Sequence, residues 1–405
     1  MRFQLLPGFR DFDPAAMAYR RWIEGAWHEA SRRAGYEEWD GPVLEPLDLY
    51  TAKSGQEIAK QLYAFTDKGG REVTLRGEMT PTFARVMAGR AGGLKKPIKW
   101  YCVPQFFRYE RQQRGRLREF YQWNVDLVGP VEPMADAEVM AVAIEGLRLL
   151  GLGPSEVVLR LSDRRLLRRK LGSLEIGEED EAFVTACIDK LERDRAAATR
   201  LEERLGASRA GQILEWCSAF PGDGDEVTEV LEACEDFGIS EYTCADFRVV
   251  RGLAYYTGPV WEIFARDEKL RSVAGGGRYD ELIASFGGPD LPALGFGMGD
   301  VVLGELLRAL GKTPPAQPRA DVYVVPIGNE MLGAARKVLR RLRDRGVRAE
   351  SPYTAIRVGK ALKLADQVGA ARAVLVGPDE WADGNVKIRD LTSGAERTIP
   401  LDDLD

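Results

Sequence analysis

Apolar side chains recur at helical spacing in two stretches of the N-terminal part of the chain. Asp13 and Pro14 form a cap and first-turn signal, and the apolar positions that follow recur every three or four residues until Gly35. A second run of this kind starts near Asp136 and stops at Gly151. The pattern predicts one amphipathic helix in each place.

Strand-like runs, rich in β-branched and aromatic residues, fill much of the remaining chain before residue 266. These runs cover residues 71–78, 98–110, 119–129, 248–256 and 260–265. Residues 163–240 interrupt them with a charged stretch that is rich in Arg, Glu and Ala and helical by pattern. We therefore expect a sheet-dominated core that carries a helical insertion at about residues 163–240.

The pattern changes at the proline-rich stretch GKTPPAQPRA, residues 311–320, which predicts an extended linker. Beyond it, strand-like and helix-like segments alternate from Asp321 onward. This alternation predicts a small α/β domain with a mostly parallel sheet. The chain has 405 residues, more than the roughly 250 to 300 that one hydrophobic core usually serves, so separate domains are expected.

Histidine and cysteine usage excludes several kinds of catalytic site. The single histidine, His28, falls in the first predicted helix, so Ser-His-Asp, Cys-His and histidine-ligated metal chemistry lack a suitable histidine. The five cysteines are widely spaced and form no CxxC pair, which argues against a disulfide framework and against a resident metal site. Catalysis would therefore depend on arginines, carboxylates and bound ions.

Charge and hydropathy narrow the class of protein further. A net charge of −6 argues against a protein that coats nucleic acid non-specifically, although 57 Lys and Arg leave room for local basic patches. No stretch approaches the ~20 apolar residues of a membrane span, and the N-terminus lacks the apolar run of a signal peptide. We expect a cytoplasmic protein with no membrane contact.

The most informative segment, FFRYERQQRGRLREFYQWNVDLVG, places a basic loop between two predicted strands. The loop carries the arginines Arg111, Arg114, Arg116 and Arg118. Strand alternation puts Arg108 and Glu110 on one face of the first strand, and Gln122, Asn124 and Asp126 on one face of the second. Guanidinium groups beside carboxylates suit phosphates and a zwitterionic ligand. A solvated antiparallel face with surface ion pairs is the competing interpretation.

Two further segments combine glycines with candidate functional side chains. In RVVRGLAYYTGPVWE, Arg251 lies near Tyr255 and Tyr256, and Gly252 permits a bulge that could re-aim either ring. Tyrosines that simply pack in the core are the alternative. In AGGGRYDEL and LGFGMG, glycines fall where the backbone would approach a ligand or a neighbouring strand, which alone is a weak signal.

Seven segments together are far more specific than any one alone. They are PGFRDF (7–12), GPVLEP around Pro42, LRGEMTPTFAR (75–85), FRYERQQRGRLREFYQWNVDLVG, RGLAYYTG, GGGRYDEL with GFGMG, and VGKALKLAD (358–366). Along nearly its whole length the chain resembles the histidine–tRNA ligase (histidyl-tRNA synthetase) family of class II aminoacyl-tRNA synthetases. The resemblance implies an α+β catalytic domain with an antiparallel sheet over residues 1–315, which includes the helical insertion, and an α/β anticodon-binding domain over residues 321–405.

The resemblance also implies a role for each matching side chain. Histidine would be bound by Glu78, Gln122, Asp126, Arg251, Tyr255, Tyr256 and Tyr279. ATP would be bound by Arg108, Glu110, Arg116 and Arg278. Arg108 and Arg251 would be the catalytic residues, and Arg111 and Arg114 would contact tRNA.

The function implied is ATP-dependent activation of L-histidine to histidyl adenylate, followed by transfer to the 3′ end of tRNA(His). Mg²⁺ would assist on the pyrophosphate side, and the GPVLEP segment, which is similar to the first class II motif, implies a homodimer. FRYERQQRGRLREFYQWNVDLVG is similar to the second motif, and GGGRYDEL with GFGMG matches the region that leads into the third. The alternative is a non-catalytic paralogue that senses histidine, such as a regulatory subunit of ATP phosphoribosyltransferase, which normally lacks an anticodon domain. Another class II synthetase is a more distant alternative, because RGLAYY is of the histidine type.

Three positions depart from the family pattern. Gly77 stands where proline is usual, and Ala254 stands where aspartate is usual. Val302, in the third motif, stands where the family usually has an ATP-binding arginine. A valine cannot pair with a phosphate, so we expect Arg278, Arg116 or Mg²⁺ to neutralise the terminal phosphates of ATP.

Overall fold

The computed structural model describes residues 3–51, 61–110, 113–191, 194, 196–218, 226–251, 255–267, 270–316 and 318–404. The chain divides into two compact units, Met1–Pro314 and Pro315–Asp405. The boundary falls within the proline-rich stretch that predicts a linker.

The first unit combines a large sheet with helices. Its helices are α1 (Pro14–Arg33), α2 (Leu47–Thr51), α3 (Thr80–Arg90), α4 (Pro133–Leu149), α5 (Arg164–Ser173), α6 (Glu178–Ile188), α7 (Ala196–Leu205), α8 (Ala207–Cys217), α9 (Glu226–Asp236), α10 (Leu282–Ser285) and α11 (Asp300–Ala309), with 3-10 turns at Ala91–Gly93 and Ser240–Tyr242. Its strands are β1 (Glu37–Glu38), β2 (Leu44–Pro46), β3 (Tyr63–Thr66), β4 (Glu72–Leu75), β5 (Ile98–Cys102), β6 (Gln105–Phe107), β7 (Glu119–Val128), β8 (Val157–Asp163), β9 (Thr243–Ala245), β10 (Pro259–Ala265), β11 (Ala274–Arg278) and β12 (Ala293–Gly299).

Within the described residues, nine strands form one sheet whose central part runs in the order β5, β7, β12, β11, β10, β8. These central strands all pair antiparallel, which confirms the expected antiparallel catalytic sheet. β1 and β9 pair in parallel at the two edges, and β6 pairs with the first part of β7. Strands β2, β4 and β3 form a small separate sheet.

The apolar face of the sheet packs against α1 and α4. The side chain of Asp13 accepts a hydrogen bond from Ala16 N at 2.8 Å and caps α1, an interaction that is typically worth about 1 kcal/mol. Trp27 of α1 is fully buried and stacks on Trp123 of β7, with ring centroids 6.1 Å apart. Gly146 of α4 lies over the same indole, because a Cβ there would come within 2.6 Å of it. The face of β7 opposite to this core is therefore left for the polar side chains.

The helical insertion forms a cluster of its own beside the sheet. Leu167 of α5, Val184 of α6, Leu201 of α7 and Ile213 of α8 are buried together in this cluster. In contrast, α9 returns to the main core, where it buries Val230 against α4 and the sheet. The inserted helices thus extend from α5 to α9, within the stretch that the composition marks as different.

The strand predicted over residues 248–256 is wrong in its described part. Residues 246–251 form a turn followed by irregular backbone, in which the Asp246 carboxylate accepts a hydrogen bond from Arg248 N at 3.0 Å. Arg251 has a φ of 52°, a left-handed conformation that a strand does not accommodate. The β-branched residues Val249 and Val250 are buried, so the apolar run reflects burial rather than sheet pairing.

The second unit is a sheet with helices on both faces. Its strands are β13 (Val322–Pro326), β14 (Ala349–Glu350), β15 (Arg372–Val376), β16 (Asn385–Asp390) and β17 (Glu396–Pro400), and its helices are α12 (Leu332–Asp344), α13 (Val358–Gln367) and α14 (Pro378–Ala382), with 3-10 turns at Asn329–Met331 and Leu401–Asp403. Val338 of α12 packs on one face, which holds Val324 of β13, while Ala361 of α13 packs on the other, which holds Val325.

The prediction of a mostly parallel sheet holds for only part of this unit. β13 pairs in parallel with β14 and β15, but β16 and β17 add an antiparallel hairpin. The Asp390 carboxylate accepts hydrogen bonds from Thr392 N and Ser393 N at the turn between them, which favours a tight reversal. None of the helices in the described part of the chain combines the length and apolarity needed to span a bilayer.

Candidate functional site

The floor of the candidate site is a row of residues that cross the sheet on its polar face. Asn124 of β7 lies opposite Gly297 of β12, which lies opposite Gly275 of β11, and Gly275 lies opposite Glu262 of β10. Directly opposed residues of antiparallel strands project to the same face. The two central positions lack side chains, so the row forms a shallow floor between a polar strand and a carboxylate.

A cavity of about 310 Å³ lies over this floor. Among the side chains that line it are five with predicted roles, namely Arg108, Glu110, Arg116, Gln122 and Arg251. Three guanidinium groups and a carboxylate therefore converge on one concave surface. Such an arrangement binds phosphate and carboxylate groups through charge-assisted hydrogen bonds.

The second-motif arginines are held by a carboxylate and a backbone carbonyl. Arg116 pairs with Glu110 at 2.7 Å, and Arg108 lies 4.0 Å from the same carboxylate. Nε of Arg108 donates to the carbonyl oxygen of Gly77 at 2.8 Å, and its guanidinium lies over the Phe120 ring at 5.3 Å. These contacts fix the direction of Arg108 and leave 27% of its side chain exposed.

Arg251 reaches the cavity from irregular backbone, not from a strand. Its Nη1 donates to Glu262 Oε1, and Ser272 Oγ donates to the same oxygen at 3.1 Å. Burial lowers the pKa of Arg251, but the charge of Glu262 raises it, and the net shift is upward. The guanidinium lies across β11, since a Cβ on Gly275 would be 2.6 Å from its Cζ. A permanent positive charge therefore lies in direct contact with the floor of the cavity.

A second cluster joins the other predicted histidine-binding residues beside this cavity. The Tyr255 hydroxyl donates to Glu78 Oε2 at 3.4 Å, and its ring contacts those of Tyr256 and Tyr279, with centroids 5.0 and 5.9 Å away. The Tyr279 hydroxyl donates to Asp126 Oδ1. Gln122, four residues before Asp126 on the same face of β7, lines the cavity itself. The structure thus connects the acidic and aromatic residues through direct contacts.

Asp126 is the most strongly perturbed carboxyl group of this cluster. Burial raises its pKa to about 7, and the hydrogen bond from Tyr279 opposes that shift. The carboxyl is therefore close to half protonated near neutral pH, where it can either accept or donate a hydrogen bond. Asp126 is 5% exposed, so a ligand would reach it only by entering the tyrosine cluster.

A family model described as histidyl-tRNA synthetase matches residues 8–299, and a model described as an anticodon binding domain matches residues 321–405. The chain belongs to the histidyl-tRNA synthetase family. Curated relatives named histidine–tRNA ligase include one from Opitutus terrae, 41% identical over 99% of this chain and 97% of the relative, and one from Halobacterium salinarum, 40% identical over 98% and 96%. The chloroplastic/mitochondrial histidine–tRNA ligase of Arabidopsis thaliana is 38% identical over 98% of this chain and 85% of its own length.

Solved structures agree on the fold. Histidyl-tRNA synthetase from Nostoc superposes with a TM-score of 0.81 at 23% identity, covering 99% of this chain and 98% of that chain. The S. aureus histidyl-tRNA synthetase superposes with a TM-score of 0.74 at 25% identity, covering 99% of this chain and 98% of that chain. The comparisons confirm the family resemblance, the catalytic fold with its helices, and the separate C-terminal domain. The match over residues 321–405 also disfavours the regulatory paralogue.

Arg278 does not take the place that the family resemblance suggested for it. It follows Gly277 on β11 and so projects to the opposite face of the sheet, where its guanidinium bonds Asp136 of α4 and the carbonyl oxygen of Pro130 at 3.0 Å. Arg278 is 5% exposed and does not line the cavity. This geometry does not support an ATP-binding role, because the charge is buried and already bonded.

The predicted tRNA contacts are only partly described. Arg111 lies outside the described residues, as does Ala254. Arg114 is 68% exposed and pairs with Glu305 of α11 at 3.2 Å, while Gly115 N donates to the other oxygen of the same carboxylate at 3.0 Å. The loop is therefore attached to the third-motif helix, with Arg114 on the outside.

The structure also shows a network around Arg10 that the sequence pattern did not predict, because PGFRDF is recognisable only as a family signature. Arg10 donates to Glu119 at the start of β7 and to Asp300 at the start of α11, each at 2.8 Å. Tyr121 N donates to the same Asp300 at 2.9 Å. Arg10 thus joins the second and third motifs of the synthetase fold, and the charged residue inside that signature was the only signal for it.

Proposed function

We propose that this chain activates L-histidine with ATP, giving histidyl adenylate and pyrophosphate, and then transfers the histidyl group to the 3′ end of tRNA(His). The observation that carries the proposal is the convergence of Arg108 and Arg251 on one cavity beside the acidic tyrosine cluster. The names of the curated relatives and the two matched domains support the same reaction and the class of enzyme.

In the first step, a carboxylate oxygen of histidine attacks the α-phosphorus of ATP in line with the departing pyrophosphate. A bond forms between that oxygen and phosphorus, and the bond from phosphorus to the bridging oxygen breaks. Both reactants are anions, so positive charge must offset their repulsion and the charge that develops on the phosphate oxygens. Arg251 and Arg108 supply that charge from fixed positions.

No side-chain base is needed for this step, because the attacking carboxylate is already ionised. His28 is in fact engaged elsewhere, since its Nδ1 lies 3.0 Å from the Tyr101 hydroxyl near α1. In the second step, a terminal ribose hydroxyl oxygen of tRNA bonds to the carbonyl carbon of the adenylate, the bond from that carbon to the phosphate oxygen breaks, and AMP leaves together with the hydroxyl proton.

Mg²⁺ is part of the proposal, and the residues present fit it. Within the described part of the chain, no group of three or more His, Cys, Asp or Glu forms a ready-made metal site. Mg²⁺ instead is usually bound through one or two carboxylates together with substrate phosphates, and the carboxylates of Glu110 and Glu262 line the cavity. Either carboxylate would hold the ion together with the phosphate oxygens of ATP, and the ion would offset negative charge on the pyrophosphate.

Histidine recognition is assigned to the cluster of Asp126 and the tyrosines. Asp126 accepts one imidazole N–H, and a tyrosine hydroxyl pairs with the other ring nitrogen, while Glu78 and Gln122 receive the α-ammonium end. A pocket that bonds both nitrogens rejects analogues that lack one by about 10⁴-fold, since its buried partners are left unpaired.

The proposal also includes a homodimer that acts in the cytoplasm. Val43 and Leu44, within the segment that is similar to the first class II motif, are 46% and 42% exposed in the single chain. Apolar residues at that position suit burial against a second copy. In the loop between β6 and β7, Arg114 suits contact with the tRNA backbone, and the second unit suits the anticodon.

The decisive experiment is ATP–pyrophosphate exchange with each of the twenty amino acids, followed by aminoacylation of tRNA(His). We expect exchange with histidine only, and its loss in Arg251→Ala. A histidine-sensing paralogue is the alternative outcome of this test, although the anticodon-binding match over residues 321–405 disfavours it. Background exchange by folded wild-type protein with Mg²⁺ and histidine would decide for that paralogue.

A further inference from the structure

The third motif leaves a gap in positive charge on one wall of the cavity. Val302, in the first turn of α11, lines the cavity at the position where the family usually has an ATP-binding arginine. Its Cγ2 packs over the second-motif loop, 3.3 Å from where a Cβ on Gly115 would lie. Gly115 directly precedes Arg116, which the family resemblance places at the terminal phosphates of ATP.

The nearby arginines already expected to compensate are poorly suited to that task. Arg278 is buried on the opposite face of the sheet, as described above. Arg116, which pairs with Glu110 at 2.7 Å, already belongs to the ATP-binding set that the family resemblance implies. It is therefore not an additional charge, and the one that Val302 lacks has to come from another residue.

Arg271 lies beside Val302 and lines the same cavity. Its Cδ is 3.9 Å from the position of a Cβ on Gly115, so both side chains pass over one glycine of the second-motif loop. The residues that follow it anchor its backbone, since Ser272 Oγ donates to Glu262 at 3.1 Å and Val273 N donates to Ile263 O at 2.7 Å. Arg271 is half-buried, and its side chain forms part of the cavity lining.

We propose that Arg271 binds the terminal phosphates of ATP and supplies the charge that the third motif lacks in this chain. This inference rests on the proposed function. A guanidinium presents its N–H donors as a planar fork that can bond two phosphate oxygens at once. The family usually has this charge in the first turn of α11. Here it would come from Arg271, in the segment before β11, whose side chain also lies over Gly115. The assignment concerns the β- and γ-phosphates, which are absent from the adenylate.

The first test replaces Arg271 with glutamine in the full chain. Arg271→Gln should raise the KM of ATP in histidine-dependent exchange by about ten- to a hundredfold, the usual effect of one charge-assisted bond. The KM of histidine should stay within about threefold, as should the Kd of a non-hydrolysable histidyl adenylate analogue, which lacks both terminal phosphates. Arg340→Gln is the matched control for net charge, because Arg340 is 84% exposed and pairs with Asp344 of its own helix, far along the chain from the cavity residues.

A second variant moves the charge back to the third motif. Val302→Arg combined with Arg271→Gln should restore much of the lost ATP affinity, since both side chains pass over Gly115. Urea unfolding of each variant checks the fold. If Arg271→Gln is poorly folded, Arg271→Lys is used instead. It keeps the charge without the planar fork, so its KM of ATP should be higher than that of wild type and lower than that expected for Arg271→Gln.

Three results would overturn the assignment: a KM of ATP within about twofold of wild type in Arg271→Gln, an equal loss of affinity for the adenylate analogue, or no restoration by Val302→Arg. Failure of the proposed function looks different, because wild type itself would then show no histidine-dependent exchange. In that event, direct titration with Mg²⁺ and ATP still tests Arg271, with weaker binding by Arg271→Gln expected and equal binding contradicting the proposal.

Discussion

Gly275 offers a test of how closely the position of Arg251 controls catalysis. In Gly275→Ala, the added methyl would lie 2.6 Å from Cζ of Arg251. Carbon atoms in contact normally stay about 3.5 Å or more apart, so the guanidinium must withdraw by about 1 Å. A displacement of that size in an active site can reduce the rate by about 10²-fold. Overpacking of this kind typically lowers the free energy of unfolding by about 1 to 3 kcal/mol.

The assay is histidine-dependent ATP–pyrophosphate exchange, with urea unfolding measured in parallel. We expect kcat to fall about a hundredfold in Gly275→Ala while the protein remains folded at 25 °C, a temperature well within the usual stable range. Gly211→Ala is the matched control, because a Cβ at Gly211, within α8, meets nothing within 4 Å. That control should keep the wild-type rate and gain slightly in stability.

A double-mutant cycle decides whether the methyl acts through Arg251. If it does, Gly275→Ala should add little to the defect of Arg251→Ala, since the group that it displaces is already gone. Independent, multiplicative losses in the double variant would refute this reasoning. So would an unchanged kcat in the single variant.

Three more predictions follow from the same geometry. Asp136→Ala should lower the free energy of unfolding by roughly 3 kcal/mol in urea, because it removes the main carboxylate partner of the buried Arg278 and leaves it with Asp280 at 3.5 Å. A KM of ATP raised more than twofold would contradict a purely structural pair. Burial raises the pKa of Asp126 above its unfolded value to about 7, so the folded protein loses stability as pH rises from about 4 towards 7. Asp126→Asn should remove this loss of stability, which is at most about 1.4 kcal/mol per pH unit. Parallel curves of stability against pH for the variant and wild type would count against the prediction. A chain ending at Pro314 should retain pyrophosphate exchange but charge tRNA poorly, and equal charging by both lengths would reject the division of labour between the units.

Local patterns predicted those parts of the fold and site that depend on one element at a time. Alternation along β7 correctly separated Gln122, Asn124 and Asp126 from the face that holds Trp123. The same rule, applied to AGGGR, separates Arg278 from Gly275 and Gly277, but only the pairing of β11 with β12 tells which face holds the site. Alternation therefore predicts which residues of a strand share one face of the sheet. The pairing register is needed to tell which residues of neighbouring strands lie beside them.

The parts that sequence reasoning missed depend on long-range geometry. The strand expected around Arg251 fails because that residue has a positive φ, which no apolar pattern reveals. Arg271 becomes a candidate only when the segment before β11 is seen beside Val302 and Gly115. These residues lie far apart in sequence, so no spacing rule connects them.

The Arg10 network has a consequence for how the protein is made. Its two carboxylate partners lie 109 and 290 positions further along the chain. During synthesis Arg10 can pair with Glu119 long before Asp300 is made, and its second carboxylate becomes available only when the start of α11 has left the ribosome. Phe3 and Leu6 stay exposed even in the finished single chain, at 88% and 66%. Domains form as units during translation, and exposed apolar segments are the ones that aggregate. A nascent chain stalled before Asp300 would therefore have the ion pair to Glu119 but not the link to the third motif, so the connection between the two motifs is completed only when the catalytic domain is nearly whole.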